Sequence, residues 1–70
     1  MERKSVNSST IRSVGYDPGS QTLEIEFRSG SIYQYSRVSS EIHRKLMAAP
    51  AIGSYFKDNI EEEFSARRIR

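Results

Sequence analysis

The stretch that most constrains the fold is LEIEFRSGSIYQY, residues 23–35, which has the pattern of a β-hairpin. Apolar and charged residues alternate along its first five positions, as they do in a strand with one buried face. A glycine-containing turn at residues 28–31 follows, and the chain then enters a run of β-branched and aromatic residues that is typical of a second strand. The sequence therefore predicts two antiparallel strands joined by a tight turn.

The turn allows two registers, which differ in the side chains that they bury. A two-residue loop puts Tyr33 and Tyr35 on the same face as the strand glutamates. A three-residue loop, with Gly30 in a left-handed conformation, puts both tyrosines on the core face and turns Ile32 outward. We favour the three-residue loop, because the shorter turn requires a positive φ at Ser29, for which serine is poorly suited.

Another strand is predicted before the hairpin, over residues 11–16. Strict alternation along this segment places Ile11 on the face opposite Val14 and Tyr16. The Asp-Pro-Gly sequence that follows predicts a turn with Gly19 at the position of positive φ. The first strand thus doubles back onto the hairpin, and the three strands form an antiparallel meander.

Beyond Val38 the apolar period changes from two to about 3.6, which indicates helices. Ser39 or Ser40 is suited to cap a first helix, and Pro50 ends it. A second helical segment is predicted to begin near residues 52–54. The predicted fold class is α+β, with a three-stranded antiparallel β-meander followed by one or two α-helices packed on one sheet face.

The chain of 70 residues predicts one domain of modest stability, about 5 kcal/mol. We predict a flexible N-terminal segment at residues 1–9, a single domain at residues 10–66 and a basic C-terminal tail at residues 67–70. The formal net charge is +2, and the absence of cysteine fits a reducing cytoplasm. No apolar run approaches the ~20 residues of a membrane span. The sequence therefore predicts a cytoplasmic protein without a membrane partner.

No catalytic or metal-binding constellation is recognisable in the sequence. His43 is the one histidine, and it lacks a cysteine or a second histidine as a partner, so neither a metal nor a cofactor is predicted. Instead it is expected at an exposed or boundary position of a helix. Glu61, Glu62 and Glu63 are consecutive, so on a helix their carboxylates point in different directions. We accordingly predict a protein without enzymatic activity.

Tyr33 and Tyr35 lie two positions apart on a strand and therefore share one face, with about 6.5 to 7 Å between them. On an exposed sheet such a pair stacks single-stranded bases, whereas on a buried sheet it belongs to the core. We favour the core. For the nucleic-acid alternative, five arginines are candidates for phosphate contacts: Arg28, Arg37, Arg44, Arg67 and Arg68.

Three segments, taken in order, resemble a known family. They are SSTIRSVGYD at residues 8–17, LEIEFRSGSIYQY at residues 23–35 and AIGSYF at residues 51–56. With a short helix between the last two, they resemble the KTSC domain, a small module at the C-terminus of some lysyl-tRNA synthetases that also occurs as a stand-alone bacterial protein. The resemblance covers roughly residues 6–66, and the tyrosine-x-tyrosine hallmark of the family corresponds to Tyr33 and Tyr35.

The resemblance implies a domain whose function is poorly defined, with RNA binding suggested by the attachment to the synthetase. Glu61 stands where many family members have a basic residue, which argues against that helix as a phosphate-facing surface. From the attachment to the synthetase, we expect a non-enzymatic RNA-binding accessory module. The alternative is a protein-interaction or self-associating module, in which the outward Ile32 or an unpaired sheet edge meets a partner strand or a second copy.

Overall fold

A computed structural model describes the whole chain, residues 1–70. Five strands form one antiparallel sheet in the order of the sequence, β1-β2-β3-β4-β5. The elements are β1 (Arg3–Ser5), β2 (Ile11–Asp17), β3 (Thr22–Phe27), β4 (Ile32–Tyr35), α1 (Ser40–Ala48), α2 (Ile52–Asn59) and β5 (Ala66–Arg68). The α+β class is confirmed, but the sheet has five strands rather than the predicted three.

The two additional strands lie at the edges of the sheet and near the ends of the chain. β1 falls within residues 1–9, which we expected to be flexible, and β5 extends into the predicted basic tail. Neither strand has an alternating apolar pattern, and all three residues of β5 are exposed. Hydrophobic periodicity therefore could not reveal them, because main-chain pairing with β2 and β4 defines both strands.

The β3–β4 hairpin has the predicted three-residue loop. Leu23 pairs with Tyr35 and Ile25 pairs with Tyr33. Gly30 has a φ of +101°, a conformation that residues with a side chain rarely adopt. The favoured register and the left-handed glycine are both confirmed.

Ile32 faces away from the core, as that register requires, but it is not exposed. Only 4% of its surface is accessible. The chain after β5 runs beside it, because the Ile32 amide donates to the Arg70 carbonyl at 3.0 Å and the Ile69 amide donates to the Ile32 carbonyl at 2.8 Å. Ile32 therefore does not provide the exposed apolar surface that we expected to meet a partner strand or a second copy.

A β-bulge in β2 changes the faces that strict alternation predicts for this strand. The pairing with β3 shifts between Ile11 and Ser13, so Arg12 is the extra residue. As a result Ile11 and Val14 both belong to the core, although alternation places them on opposite faces. Arg12 and Ser13 both contact Glu26 on the other side of the sheet.

The β2–β3 turn contains Asp-Pro-Gly, as predicted, but it is longer than a four-residue turn. Its left-handed residue is Gln21, with a φ of 56°, rather than Gly19. The Asp17 carboxylate shapes the turn by accepting hydrogen bonds from the Gly19 amide at 3.2 Å and from the Ser20 hydroxyl at 2.8 Å.

Both helices contribute to the core on one face of the sheet. The Ser39 hydroxyl caps α1 by accepting a hydrogen bond from the Ile42 amide at 3.3 Å. α2 ends at Asn59, and Phe64 lies beyond it. The core consists of Ile11, Val14, Leu23, Ile25, Tyr35, Val38, Leu46, Ile52, Phe56 and Ile60. Neither helix has the length and apolar character needed to cross a membrane.

Candidate functional site

Tyr33 and Tyr35 pack on the core side of β4. Tyr35 is only 4% exposed, and its ring lies edge-to-face with Phe56, with 5.4 Å between the centroids. Tyr33 is half-buried and packs edge-to-face on Phe27 at 5.7 Å. Burial raises the pKa of Tyr35 to about 12, with smaller contributions from the charges of Glu61 and Tyr33.

This packing favours the core interpretation of the tyrosine pair. Phe27 also lies edge-to-face with Phe56, at 5.6 Å, so the four rings form one aromatic cluster that joins β3 and β4 to α2. A platform for stacked bases needs ring faces that are open to solvent. Tyr35 offers no such face.

The five arginines that we expected to contact phosphates do not lie together. Arg28, at the end of the β3–β4 hairpin, donates to the main-chain carbonyls of Ser8 and Val6 at 2.9 and 3.4 Å. It therefore holds the segment between β1 and β2. Arg37 is exposed in the loop before α1.

The other three predicted arginines occupy two further places. Arg44 is exposed on α1, 3.7 Å from Glu41 on the same helix. Arg67 and Arg68 are neighbours on β5, where consecutive side chains leave opposite faces of the sheet. Arg67 pairs with Gln34 on the face away from the core, whereas Arg68 pairs with Tyr33.

The sheet face away from the core carries a charged network around two glutamates of β3. Arg3 of β1 reaches across β2 and forms a hydrogen-bonded ion pair with Glu24. The Gln34 amide nitrogen donates to the other carboxylate oxygen of Glu24 at 2.8 Å. Glu24 is only 4% exposed, so each oxygen of this buried carboxylate has a donor.

Gly15 makes room for the arginine that crosses the sheet. Arg3 pairs with Gly15, and Gly15 pairs with Glu24 on the next strand. A Cβ atom at position 15 would lie 2.9 Å from Cγ of Arg3 and 2.9 Å from the Glu2 carbonyl oxygen. Both distances are shorter than a Cβ atom normally approaches another heavy atom. Arg3 can therefore cross β2 only where position 15 is glycine.

Glu26 is the centre of a second group of contacts on the same face. The Ser13 hydroxyl donates to its carboxylate at 2.7 Å. Guanidinium nitrogens of Arg3, Arg12 and Arg70 lie 3.9, 4.0 and 3.4 Å from its oxygens. The β2 bulge brings Arg12 to this carboxylate, since alternation alone would direct it to the core side.

Both carboxyl groups have pKa values below their ordinary range. Burial by itself raises the pKa of Glu24, but hydrogen bonds from Gln34 and Arg3, together with the charge of Arg3, outweigh it. The hydrogen bond from Ser13 is the largest influence on the pKa of Glu26; burial opposes it, and the charges of three surrounding arginines reinforce it. The two carboxylates are therefore ionised at neutral pH and orient the arginines around them.

We call this surface the arginine face and define it by Arg3, Arg12, Arg67 and Arg70. The side chains of Arg12 and Arg70 are 52% and 65% exposed. Each guanidinium has five N–H donors, and the long contacts with Glu26 leave most of them free. This arrangement is suited to binding the oxygens of phosphate groups.

On the core side of the sheet, a groove lies between β1 and α1. His43 of α1 is half-buried there and stacks on Tyr16, with 4.5 Å between ring centroids and 11° between planes. No group of three histidine, cysteine, aspartate or glutamate side chains is arranged to hold a metal ion.

Comparison with known proteins places this architecture in a family. The KTSC domain family matches residues 7–64 of the chain. The chain belongs to the KTSC domain family. The crystal structure of a KTSC domain protein from Yersinia pestis superposes with a TM-score of 0.96 at 40% sequence identity, covering 99% of this chain and 97% of that chain.

Sequence relatives of this KTSC domain include both short and long proteins. An uncharacterised protein from Stutzerimonas stutzeri (strain A1501) is 45% identical over 56 residues, which are 80% of this chain and 79% of that protein. A lysine–tRNA ligase from Nostoc sp. (strain PCC 7120) is 39% identical over 61 residues, which are 87% of this chain but 11% of the ligase. The KTSC domain thus corresponds to a small part of such a ligase.

Sequence reasoning identified one of the four residues that define the arginine face of this KTSC domain. It missed Arg3 and Arg70 because the main chain around them pairs without an apolar pattern, and it missed Arg12 because a bulge directs that side chain. One signal was present in β3, where Glu24 and Glu26 alternate with core residues on a strand in the middle of the sheet. A carboxylate that is covered in this way requires hydrogen-bond donors or cations beside it, because burying an unpaired charge is costly.

Proposed function

We propose that this KTSC domain is a non-enzymatic accessory module that binds RNA through the sugar-phosphate backbone. The observation that carries the proposal is the arginine face. There, guanidinium groups from β2 and from both ends of the chain surround the Glu26 carboxylate, and Arg3 also pairs with Glu24. Four arginines and two glutamates leave a formal charge of +2 on this face, which equals the net charge of the whole chain.

The chemistry of the face is suited to phosphate groups. Guanidinium groups bind phosphate oxygens in a bidentate manner, and contacts of this kind dominate the affinity of proteins for nucleic acids. Arg12 reaches Glu26 from β2, whereas Arg70 reaches it from the segment after β5, which lies beside β4 on the other side of β3, so the donors that do not face Glu26 are spread across the face. Such a spread suits an extended backbone that presents successive phosphates.

The proposed mode of binding differs from the one that the sequence suggested. Tyr33 and Tyr35 stabilise the core instead of stacking bases, since their rings pack against phenylalanines. Of the five predicted arginines, Arg67 contributes to the face, and Arg68 leaves the opposite side of β5. Binding is therefore expected to be backbone-directed, with little dependence on base sequence.

The long relatives support RNA as the partner. Segments similar to this chain form 11% of lysine–tRNA ligases from Nostoc sp. and Nostoc punctiforme. The names of these proteins designate tRNA as their substrate. A module that binds the sugar-phosphate backbone would add contacts to tRNA within such a protein.

The experiment that tests the proposal is an NMR titration of the isotope-labelled domain with tRNA and with a short single-stranded RNA, at two salt concentrations. We expect chemical-shift changes at Arg12, Arg67 and Arg70 that weaken as salt rises. Arg12→Gln and Arg70→Gln should each lower the salt dependence of log K by about 0.7 for single-stranded RNA. Absence of shifts on this face, with either RNA, would overturn the proposal.

A matched control separates the arginine face from general basicity. Arg37→Gln removes the same charge from an exposed loop away from this face. We expect it to leave both the affinity and the salt dependence unchanged. Equal losses in Arg37→Gln and Arg12→Gln would mean that only net charge matters, and the assignment of the face would then be withdrawn.

A second candidate function is protein interaction through a sheet edge. The supporting observation is that β1 and β5 form the two edges of the sheet and that every residue of β5 is exposed. The basic side chains of both edges disfavour pairing with a second copy of this chain and favour an acidic partner strand. A mass that increases with protein concentration, independently of salt, would instead indicate self-association.

A further inference from the structure

The groove between β1 and α1 has a volume of about 580 Å³. Val14 and Tyr16 of β2, with His43 and Met47 of α1, provide its aromatic and apolar lining. Lys4 lines it from β1, because Lys4 pairs with Val14 and therefore points to the core side of the sheet. Its size falls within the range of about 300–1,000 Å³ that is typical of small-ligand sites.

The aromatic part of the groove is held firmly. Tyr16 donates a hydrogen bond from its hydroxyl to the Val38 carbonyl at 2.5 Å, and His43 stacks flat on its ring. Burial, and to a smaller extent the charge of Lys4, lowers the pKa of His43. The imidazole is therefore neutral at pH 7 and presents a planar, uncharged ring to the groove.

Charged side chains flank this ring. Lys4 forms no ion pair, and the one acidic partner of Arg44 is Glu41 on the same exposed helix surface. An ion pair between such exposed side chains is weak, so both cations are available to a ligand. Glu2 also lines the groove and supplies a single carboxylate.

We propose that this groove binds one nucleotide, with its base against His43 and its phosphate between Lys4 and Arg44. The base extends the stack of two rings over an apolar lining. The cations bind the phosphate, and the Glu2 carboxylate accepts hydrogen bonds from ribose hydroxyls, a role that acidic side chains take in dinucleotide sites.

A free mononucleotide and a nucleotide of an RNA chain present the same three groups. The inference does not rest on the proposed function, because Lys4 and the arginine face lie on opposite sides of the sheet.

The test is a titration of the domain with adenosine monophosphate, followed by NMR at the imidazole signals of His43, which is the one histidine in the chain. We expect these signals to shift and saturate. Adenosine lacks the phosphate and ribose 5-phosphate lacks the base, so each should bind about fivefold more weakly or worse. Absence of a shift with adenosine monophosphate and with RNA would overturn the inference, as would equal binding of adenosine and its monophosphate.

Variants assign the contacts to individual side chains. Lys4→Gln should weaken the monophosphate about fivefold and leave adenosine unchanged, since only the phosphate meets the lysine. Lys57→Gln removes the same charge from the exposed surface of α2, outside the groove, and should change neither affinity. Equal effects of the two substitutions would overturn the assignment of the phosphate position.

A short single-stranded RNA distinguishes the two sources of the nucleotide. Shifts at His43 that are lost in Lys4→Gln would show that the groove takes a nucleotide of the chain. Shifts at His43 with the monophosphate alone would show that it takes a free nucleotide. If RNA shifts only the arginine face, and neither ligand shifts His43, then the proposed function stands and the groove inference fails.

Discussion

Arg3 on the first strand and Glu24 on the third strand form an ion pair that spans the second strand at Gly15. The pair fastens an edge strand to the middle of the sheet by a side-chain contact. It also covers a carboxylate that β3 would otherwise expose. The glycine between them is therefore as important to the contact as the two charged residues.

Gly15→Ala tests this relationship. The new methyl group would meet the Arg3 side chain and the Glu2 carbonyl oxygen at 2.9 Å, so β1 must move away from β2. We expect a loss of about 1–3 kcal/mol in the free energy of unfolding, measured by urea denaturation.

Gly19→Ala is the matched control for that substitution. A Cβ atom there would lie 3.5 Å from an Asp17 carboxylate oxygen, an ordinary contact, and the φ of Gly19 is not positive. We expect the stability to change by less than about 0.5 kcal/mol. Equal losses at the two glycines would contradict the role of Gly15 as the crossing point.

Acid is expected to destabilise the domain through the two glutamates of β3. Their pKa values are lowered in the folded state, so their contribution to stability is complete above the unfolded value of about 4.3. It is lost as pH falls through the lower, folded values. Urea unfolding between pH 3 and pH 7 measures this dependence.

Glu24→Gln should flatten that pH dependence and lower stability at pH 7. The amide keeps the shape of the side chain but removes the hydrogen-bonded counter-charge of Arg3, which is left with only the longer contact to Glu26 at 3.9 Å. Glu41→Gln is a suitable control, because Glu41 contacts only exposed cations of its own helix. A steep acid response in Glu24→Gln, equal to that of the unsubstituted chain, would show that other groups cause it.

Tyr35 is expected to titrate at an unusually alkaline pH. Its pKa is raised to about 12 in the folded state, above the unfolded value of about 10. Its contribution to stability is therefore complete below pH 10 and is lost as pH rises toward 12. Absorbance of tyrosinate during an alkaline titration, with circular dichroism to monitor folding, should show a late component that Tyr35→Phe removes.

Truncation of the same side chain addresses its role in the core. Tyr35→Ala should cost about 3–5 kcal/mol, which approaches the whole stability expected for a domain of this size. Tyr35→Phe retains the ring against Phe56 and should remain folded. If Tyr35→Ala kept full stability, the ring would have to be dispensable for packing, contrary to its burial.

Gly30→Ala should destabilise the hairpin by about 1–2 kcal/mol, because alanine is strained at a φ of +101°. Ser29→Ala in the same loop is the control and should have little effect, since Ser29 has a negative φ. Thermal unfolding followed by circular dichroism compares the two variants. A more stable Gly30→Ala variant would contradict the left-handed conformation of the loop.

The sequence predicted the parts of the fold that depend on periodicity and turn chemistry. The hairpin register followed from the poor suitability of Ser29 for a positive φ, and the first helix followed from a cap at Ser39 or Ser40, the apolar spacing and Pro50. The bulge at Arg12 could not be predicted, since it inserts a residue without a glycine or proline to mark it. The edge strands were missed because main-chain hydrogen bonds and, in β1, an ion pair hold them in place, and these contacts leave no apolar pattern.

The candidate site was less predictable than the fold for the same physical reasons. Tyr33 and Tyr35 have the same spacing whether they stack bases or belong to the core, so the spacing alone does not distinguish these roles. Only the packing of the rings against Phe27 and Phe56 does so. The arginine face joins residues from the two ends of the chain, and their proximity depends on which strands form the edges. No local pattern contains that information.

Every strand in the sheet pairs with its neighbour in sequence, but one of these pairings is closed by a much longer connection than the others. Short turns close the pairings from β1 to β4, whereas β5 joins β4 only across residues 36–65, which include both helices. Because the entropic cost of closing a loop grows with its length, we expect this contact to form after the short turns between β1 and β4 have closed. We accordingly expect Arg67 and Arg70 to reach the arginine face late in folding, so that the surface is complete only in the fully folded domain.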